Sequence, residues 1–91
     1  MLKTFFSSKT RVKIIRLFVN NPEGRYYLRE IAKVLDEPIT PIRRELINLK
    51  KVGLLEITPV ANLIFYHLNA DFLLYEELKG MVEKTEKLEI Y

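Results

Sequence analysis

In KTRVKIIRLFVNN, Val12, Ile15 and Val19 fall on one stripe of a helix, and Ile14 and Phe18 widen it. Ser7 and Ser8 precede the stripe as candidate caps, so the pattern predicts a first helix over residues 8 to 20. The following NNPEG gathers Asn20, Asn21, Pro22 and Gly24, residues that end helices and supply turn conformations. RYYL is aromatic and β-favouring and predicts a very short strand at 25 to 27. Leu28, Ile31, Ala32 and Leu35 then resume helical spacing and predict a second helix over 28 to 36.

The next stretch, EPITPIRRELINLKKVGLL, predicts a third helix over 40 to 52. Proline disfavours the α region for the residue before it, while its own fixed φ suits a first helical turn, so Thr40 serves as N-cap and Pro41 as first helical residue. Ile42, Leu46 and Leu49 share a narrow arc that must face the core, and Gly53 gives a left-handed exit. The opposite arc carries Thr40, Arg44, Ile47, Asn48 and Lys51, with Arg43 on its flank. LLEIT and LIFYHL, joined by PVAN with Pro59 and Asn62, predict an antiparallel hairpin. Asp71 is placed to cap a last helix, where Leu74, Leu78, Met81, Val82, Thr85 and Leu88 form a stripe and Glu76 and Glu77 lie near the positive end; Gly80 weakens it slightly. No internal repeat, low-complexity tract or long linker is visible, and 91 residues make one domain with a modest core.

Charge adds a division that periodicity does not show. Residues 1 to 70 hold 12 Lys and Arg against 6 Asp and Glu, a balance of +6, whereas residues 71 to 91 hold 3 against 6, a balance of −3. A basic body attracts polyanions, and an acidic tail is poorly suited to lie along phosphates. With no cysteine there is neither disulfide framework nor thiolate site, and no apolar run approaches the ~20 residues of a membrane span. The expected setting is cytoplasmic, with no membrane partner.

The order helix, short strand, helix, turn, helix, hairpin, helix resembles the winged helix-turn-helix domain across residues 5 to 90, and more specifically the ArsR-type and MarR-type bacterial and archaeal transcriptional regulators. YYLREIAKVL, TPIRRELINLKKVGLL and FYHLN carry the likeness, with Arg44, Glu45, Leu46, Leu49, Gly53 and Leu54 its most diagnostic part. The resemblance implies a mainly α fold with a small β-sheet: a three-helix core and two-stranded wing over residues 1 to 70, and a C-terminal helix over 71 to 91. It also implies a recognition helix that starts one or two residues before Thr40. LYEELKGMVEKT further resembles a segment that links such domains to nucleotidyltransferases, but no catalytic domain follows it in this sequence.

A helix of this length fits the B-DNA major groove, where arginine reads guanine and asparagine reads adenine in bidentate fashion. Arg43, Arg44 and Asn48 are the candidate base readers, and Thr40 and Ile47 are placed for phosphate and thymine-methyl contacts, with Pro41 beside them. Lys50, Lys51, Arg11, Lys13 and Arg29 are candidate phosphate contacts, which fix register without reading sequence, and Tyr26 and Tyr27 candidates for the DNA backbone. The alternative for the arginine pair is a solvated face, or an internal ion pair with Glu45 or Glu37. Double-stranded DNA is thus the expected partner.

One feature departs from the family. Related wings carry arginine or lysine at the tip and on the returning strand, but this tip is TPVANL. It gains little from phosphate neutralisation or from the electronegative minor groove. Leu63, Phe65 and His67 alternate with Ile64, Tyr66 and Leu68, so either one face stays open for a partner, or LKTFF or the last helix covers it. The last helix presents a similar choice between closing its own core and pairing with a twofold mate, as such helices commonly do in the family. The resemblance favours a homodimer through Leu74, Leu78, Met81, Val82 and Leu88.

Catalysis finds little support: there is one histidine, His67, on a strand, and only three glycines, none in a phosphate-binding loop. His67 reads as a half-exposed strand residue. Metal sensing requires Cys, His and carboxylate clusters that the sequence lacks, and no cofactor is expected. Any effector would be organic or a protein, and the sequence names none. The expected function is sequence-specific DNA binding by a homodimeric regulator, most simply a repressor. The alternative is a winged-helix protein-interaction module partnering a separately encoded enzyme.

Overall fold

The Ser8 side chain accepts the Arg11 backbone N–H at 3.3 Å, satisfying one of the donors that a helix start leaves open, and α1 runs Lys9–Asn20. The computed structural model describes residues 8–69, 71–72 and 75–88, with backbone only at positions 75, 78 and 84–88. The remaining elements are β1 (Tyr26–Tyr27), α2 (Leu28–Leu35), α3 (Ile39–Lys51), β2 (Leu55–Val60), β3 (Leu63–Leu68) and α4 (Tyr75–Leu88).

α2 and α3 are the paired helices of the helix-turn-helix, and both stop by the same device. At the end of α3, Leu54 N–H reaches Leu49 C=O and Gly53 N–H reaches Lys50 C=O, each at 3.1 Å, with Gly53 at φ 90°. At the end of α2, Glu37 bonds Ala32 at 3.0 Å and Asp36 bonds Lys33 at 3.2 Å, with Asp36 at φ 53°. These paired bonds close the last carbonyls of each helix and require a left-handed residue, which glycine gives freely and aspartate tolerates. The turn from α2 into α3 is therefore only Asp36, Glu37 and Pro38.

α3 begins at Ile39 with Pro38 as its N-cap, not at Pro41 behind Thr40. Pro41 sits inside the first turn, where its missing N–H removes no helical bond, so the proline does not set the start. The earlier start is the one that the family resemblance implies.

The three strands form one antiparallel sheet in the order β1-β3-β2, so the short strand adds a third member to the expected hairpin. The connection is only Ala61 and Asn62; Pro59 and Val60, expected in the loop, belong to β2, opposite Ile64 and Leu63. β2 lies at the sheet edge, where a proline without N–H is accommodated.

The core gathers Ile14, Ile15, Phe18 and Val19 of α1, Ile31 and Ala32 of α2, Ile42, Leu46 and Leu49 of α3, and Leu54, Leu55 and Leu68 from the sheet and its entry. Each fully buried aliphatic side chain contributes about 1.5–3 kcal/mol. Tyr26 sets its ring edge-on to Phe18 with centroids 5.4 Å apart. Gly24 leaves the space that this ring needs, since a Cβ there would lie 2.5 Å from the tyrosine oxygen.

α4 packs on α1, and Val82 is fully buried in the subunit's own core. Val82 was expected at a dimer interface; the structure uses it instead to close the domain. Met81 is half-buried, while the side chains of Leu74, Leu78 and Leu88 lie outside the described residues, as does LKTFF. The expected cap of α4 by Asp71 involves residues 73 and 74, which lie outside the described residues. Asn69 Oδ1 accepts Asp71 N–H at 3.0 Å and Asn69 C=O accepts Phe72 N–H at 3.0 Å, forming a turn that brings Phe72 against the core.

Candidate nucleic-acid interface

The packing of α3 decides what remains on its outer face. Ile42, Leu46 and Leu49 are buried, which turns Thr40, Arg43, Arg44, Ile47, Lys50 and Lys51 to solvent, with Pro41 and Asn48 half-buried at the margin. Arg29 is likewise exposed, on α2. Four cations, one apolar side chain and a hydroxyl thus share one surface of a 13-residue helix.

Arg11 and Lys13 are placed differently from the remaining candidate phosphate contacts. Arg11 donates from Nε to Glu45 Oε2 at 2.5 Å and from Nη2 to Glu45 Oε1 at 3.2 Å, a two-point grip between α1 and α3. Its side chain is only 16% exposed, so the guanidinium is turned inward, toward Glu45. Lys13 reaches Glu37 Oε2 at 3.3 Å, and the Thr10 hydroxyl donates to Oε1 of the same carboxylate at 3.0 Å. Lys13 keeps partial access to solvent, while its ammonium is engaged by the turn before α3.

Of the two alternatives for the arginine pair, a solvated face and an internal ion pair, these bonds bear on the ion pair. Glu45 and Glu37 were its candidate internal partners, and both carboxylates are held by α1. Arg43 and Arg44 remain on the solvent side.

Glu45 is 6% exposed, the one buried charged residue among those described. The Arg11 hydrogen bonds outweigh burial and hold its carboxyl below the ordinary carboxylate range, with a smaller contribution from Asn48. Glu37 is shifted in the same direction, first by the Thr10 hydroxyl and then by Lys13. Both are therefore ionised at neutral pH. The role of Glu45 was missed in the sequence, although a signal existed: it falls three residues after Ile42 and four before Leu49, on the rim of the core arc, where an acid needs a buried partner.

Of the tyrosines, Tyr26 is half-buried, its ring packed against the core at Phe18. Tyr27 lies half-buried, edge-on to Phe65 at 5.7 Å. His67 sits half-buried on β3, with Nε2 2.8 Å from Thr58 Oγ1. The wing has no Lys or Arg between residues 55 and 68, and its Ile57, Val60, Leu63 and Ile64 are all exposed. Among the described residues no helix is long and apolar enough to cross a membrane, and no three His, Cys, Asp or Glu converge as metal ligands do.

No protein-family model and no curated protein matches the sequence. Solved structures do. Reduced HlyU from Vibrio cholerae superposes with a TM-score of 0.70 at 21% identity, over 96% of this chain and 83% of that one. The transcriptional repressor BigR from Xylella fastidiosa gives a TM-score of 0.75 at 18% identity, over 96% and 81%. Mb0332 from Mycobacterium bovis, described as a homodimeric winged helix-turn-helix DNA-binding domain of a possible ArsR-family regulator, gives 0.70 at 19% identity, over 93% and 74%. The fold is a winged helix-turn-helix, and the chain is similar to winged-helix regulators of the ArsR type.

Proposed function

We propose that the protein is a cytoplasmic transcriptional regulator that binds duplex DNA as a homodimer, with α3 in the major groove. The observation that carries this reading is the division of charge across α3: its buried acid is neutralised internally by Arg11, while Arg43, Arg44, Lys50 and Lys51 face outward. Arg43, Arg44 and Asn48 read bases, Ile47 meets a thymine methyl, and Thr40, Lys50, Lys51 and Arg29 hold phosphates. The similar structures, a transcriptional repressor and a homodimeric DNA-binding domain among them, support this reading. A twofold mate docked along α4 through the part of its stripe not used by Val82 sets two recognition helices on successive major grooves, about 34–36 Å apart. The simplest output is repression by occluding a promoter.

Selection of DNA from a random pool, followed by anisotropy titration, tests this reading. The wild-type chain enriches a near-palindromic site, affinity falls steeply with salt, and the double variant Arg43→Ala/Arg44→Ala loses about 100-fold or more. An unenriched pool, or a double variant with full affinity, refutes it. Light scattering that returns a monomer at micromolar concentration refutes the dimer.

The apolar wing, which carries no Lys or Arg, favours a second reading: a protein-interaction module whose wing docks on a separately encoded enzyme. In that case partner capture survives the Arg43→Ala/Arg44→Ala change and is lost on altering Leu63 and Ile64.

A further inference from the structure

Glu45 Oε1 accepts two hydrogen bonds, from Arg11 Nη2 at 3.2 Å and from Asn48 Nδ2 at 3.3 Å. An ionised carboxylate offers no proton, so the Asn48 amide can meet it only through its nitrogen; reversing the amide would set oxygen against oxygen. The grip of Arg11 on both carboxylate oxygens fixes the plane that the amide must match. Asn48 follows Glu45 by three residues, about 60° around the helix, and lies roughly 40° from Arg44. The nitrogen end of its amide is tied to Glu45, and Asn48 itself stands half-buried between Glu45 and the exposed Arg44.

From this geometry we infer that Glu45 sets the base preference of α3 by fixing which end of the Asn48 amide faces outward, so that Asn48 presents its carbonyl oxygen to an amino-bearing base. The inference rests on the DNA-binding reading and adds a positioning role for a residue that touches no DNA. In the major groove adenine N6 and cytosine N4 donate, whereas guanine O6 and N7 and thymine O4 accept. A freely turning asparagine suits either class; an anchored one discriminates. The second hydrogen on Nδ2, not engaged by Glu45, reaches adenine N7, which ranks adenine ahead of cytosine.

Random-pool selection is run with the wild-type chain, Asn48→Ala and Glu45→Gln. The wild type enriches adenine, then cytosine, at one position of each half-site, and Asn48→Ala erases that preference while leaving the others. Glu45→Gln keeps the size of the side chain but can turn its own NH2 toward Asn48, so the amide reverses. Discrimination against guanine and thymine at that position falls about fivefold to tenfold, with the salt slope unchanged. The inference is overturned if the position erased by Asn48→Ala is guanine or thymine, if Asn48→Ala alters no position, or if folded Glu45→Gln weakens all sequences equally. Should Glu45→Gln not fold, Arg11→Met/Glu45→Leu removes the anchor without leaving a buried charge; the same fall in discrimination at that position is expected, and unchanged discrimination overturns the inference. A wild-type chain that enriches nothing overturns the DNA-binding reading and this inference with it, whereas enrichment of the wrong base class overturns this inference only.

Discussion

Removing the guanidinium of Arg11 isolates the contribution of the clamp between α1 and α3. Arg11→Met keeps most of the stem length but leaves a carboxylate at 6% exposure with only Asn48 donating to it. Breaking a buried pair in this way costs about 3–5 kcal/mol. Protonation of Glu45 sets a ceiling: starting from an ordinary value of 4.5, neutralising it at pH 7 costs about 3.4 kcal/mol. The expected loss is therefore about 2–3.4 kcal/mol, equivalent to a Tm drop on the order of 10–25 °C for a domain of this size. The ceiling falls with pH and is about 1.4 kcal/mol at pH 5.5, so the gap between the variant and the wild type narrows on acidification. The sign agrees with linkage: the folded-state value of Glu45 is lowered, so its contribution is fully present above about 4.5 and is lost as pH falls through and below that value. Urea denaturation at pH 7 and 5.5 measures both quantities. The double variant Arg11→Met/Glu45→Leu should recover most of the loss, because an apolar pair replaces the ion pair. A single-variant loss below about 0.5 kcal/mol, or a double variant no more stable than the single, would refute the clamp.

Two further outcomes follow from the wing. Ala61 holds φ 54° at the first position of the two-residue turn, where glycine is unstrained, so Ala61→Gly should raise stability by about 1 kcal/mol in a denaturation series. Leu63→Lys places a cation at a tip that has none; if the wing lies against DNA, affinity rises and the slope of log K against log salt steepens by about 1.

The local architecture was legible because its causes are local. Periodicity located α1 and α2, the β-favouring runs located the hairpin, and Gly53 marked the end of α3 where the structure has it. The misplaced boundaries have local causes as well. Thr40 and Pro41 satisfied a plausible cap, but a proline anywhere in the first turn is equally harmless, so dihedral preference alone could not choose. Ala61 and Asn62 make a tighter turn than PVAN suggested because an edge strand can absorb Pro59.

The sequence by itself determined the order of elements, the buried stripe of α3 and hence the outward direction of Arg43 and Arg44, since a 3.6-residue repeat assigns faces without reference to distant parts of the chain. Only the tertiary structure decided which cations are spent internally. Arg11 and Glu45 lie 34 residues apart and Lys13 and Glu37 lie 24 apart, and nothing in their local spacing announces either pairing. Burial made the difference: once the α1–α3 contact removes Glu45 from water, its charge must be matched from within the protein, and Arg11 is the group that the packing brings to it.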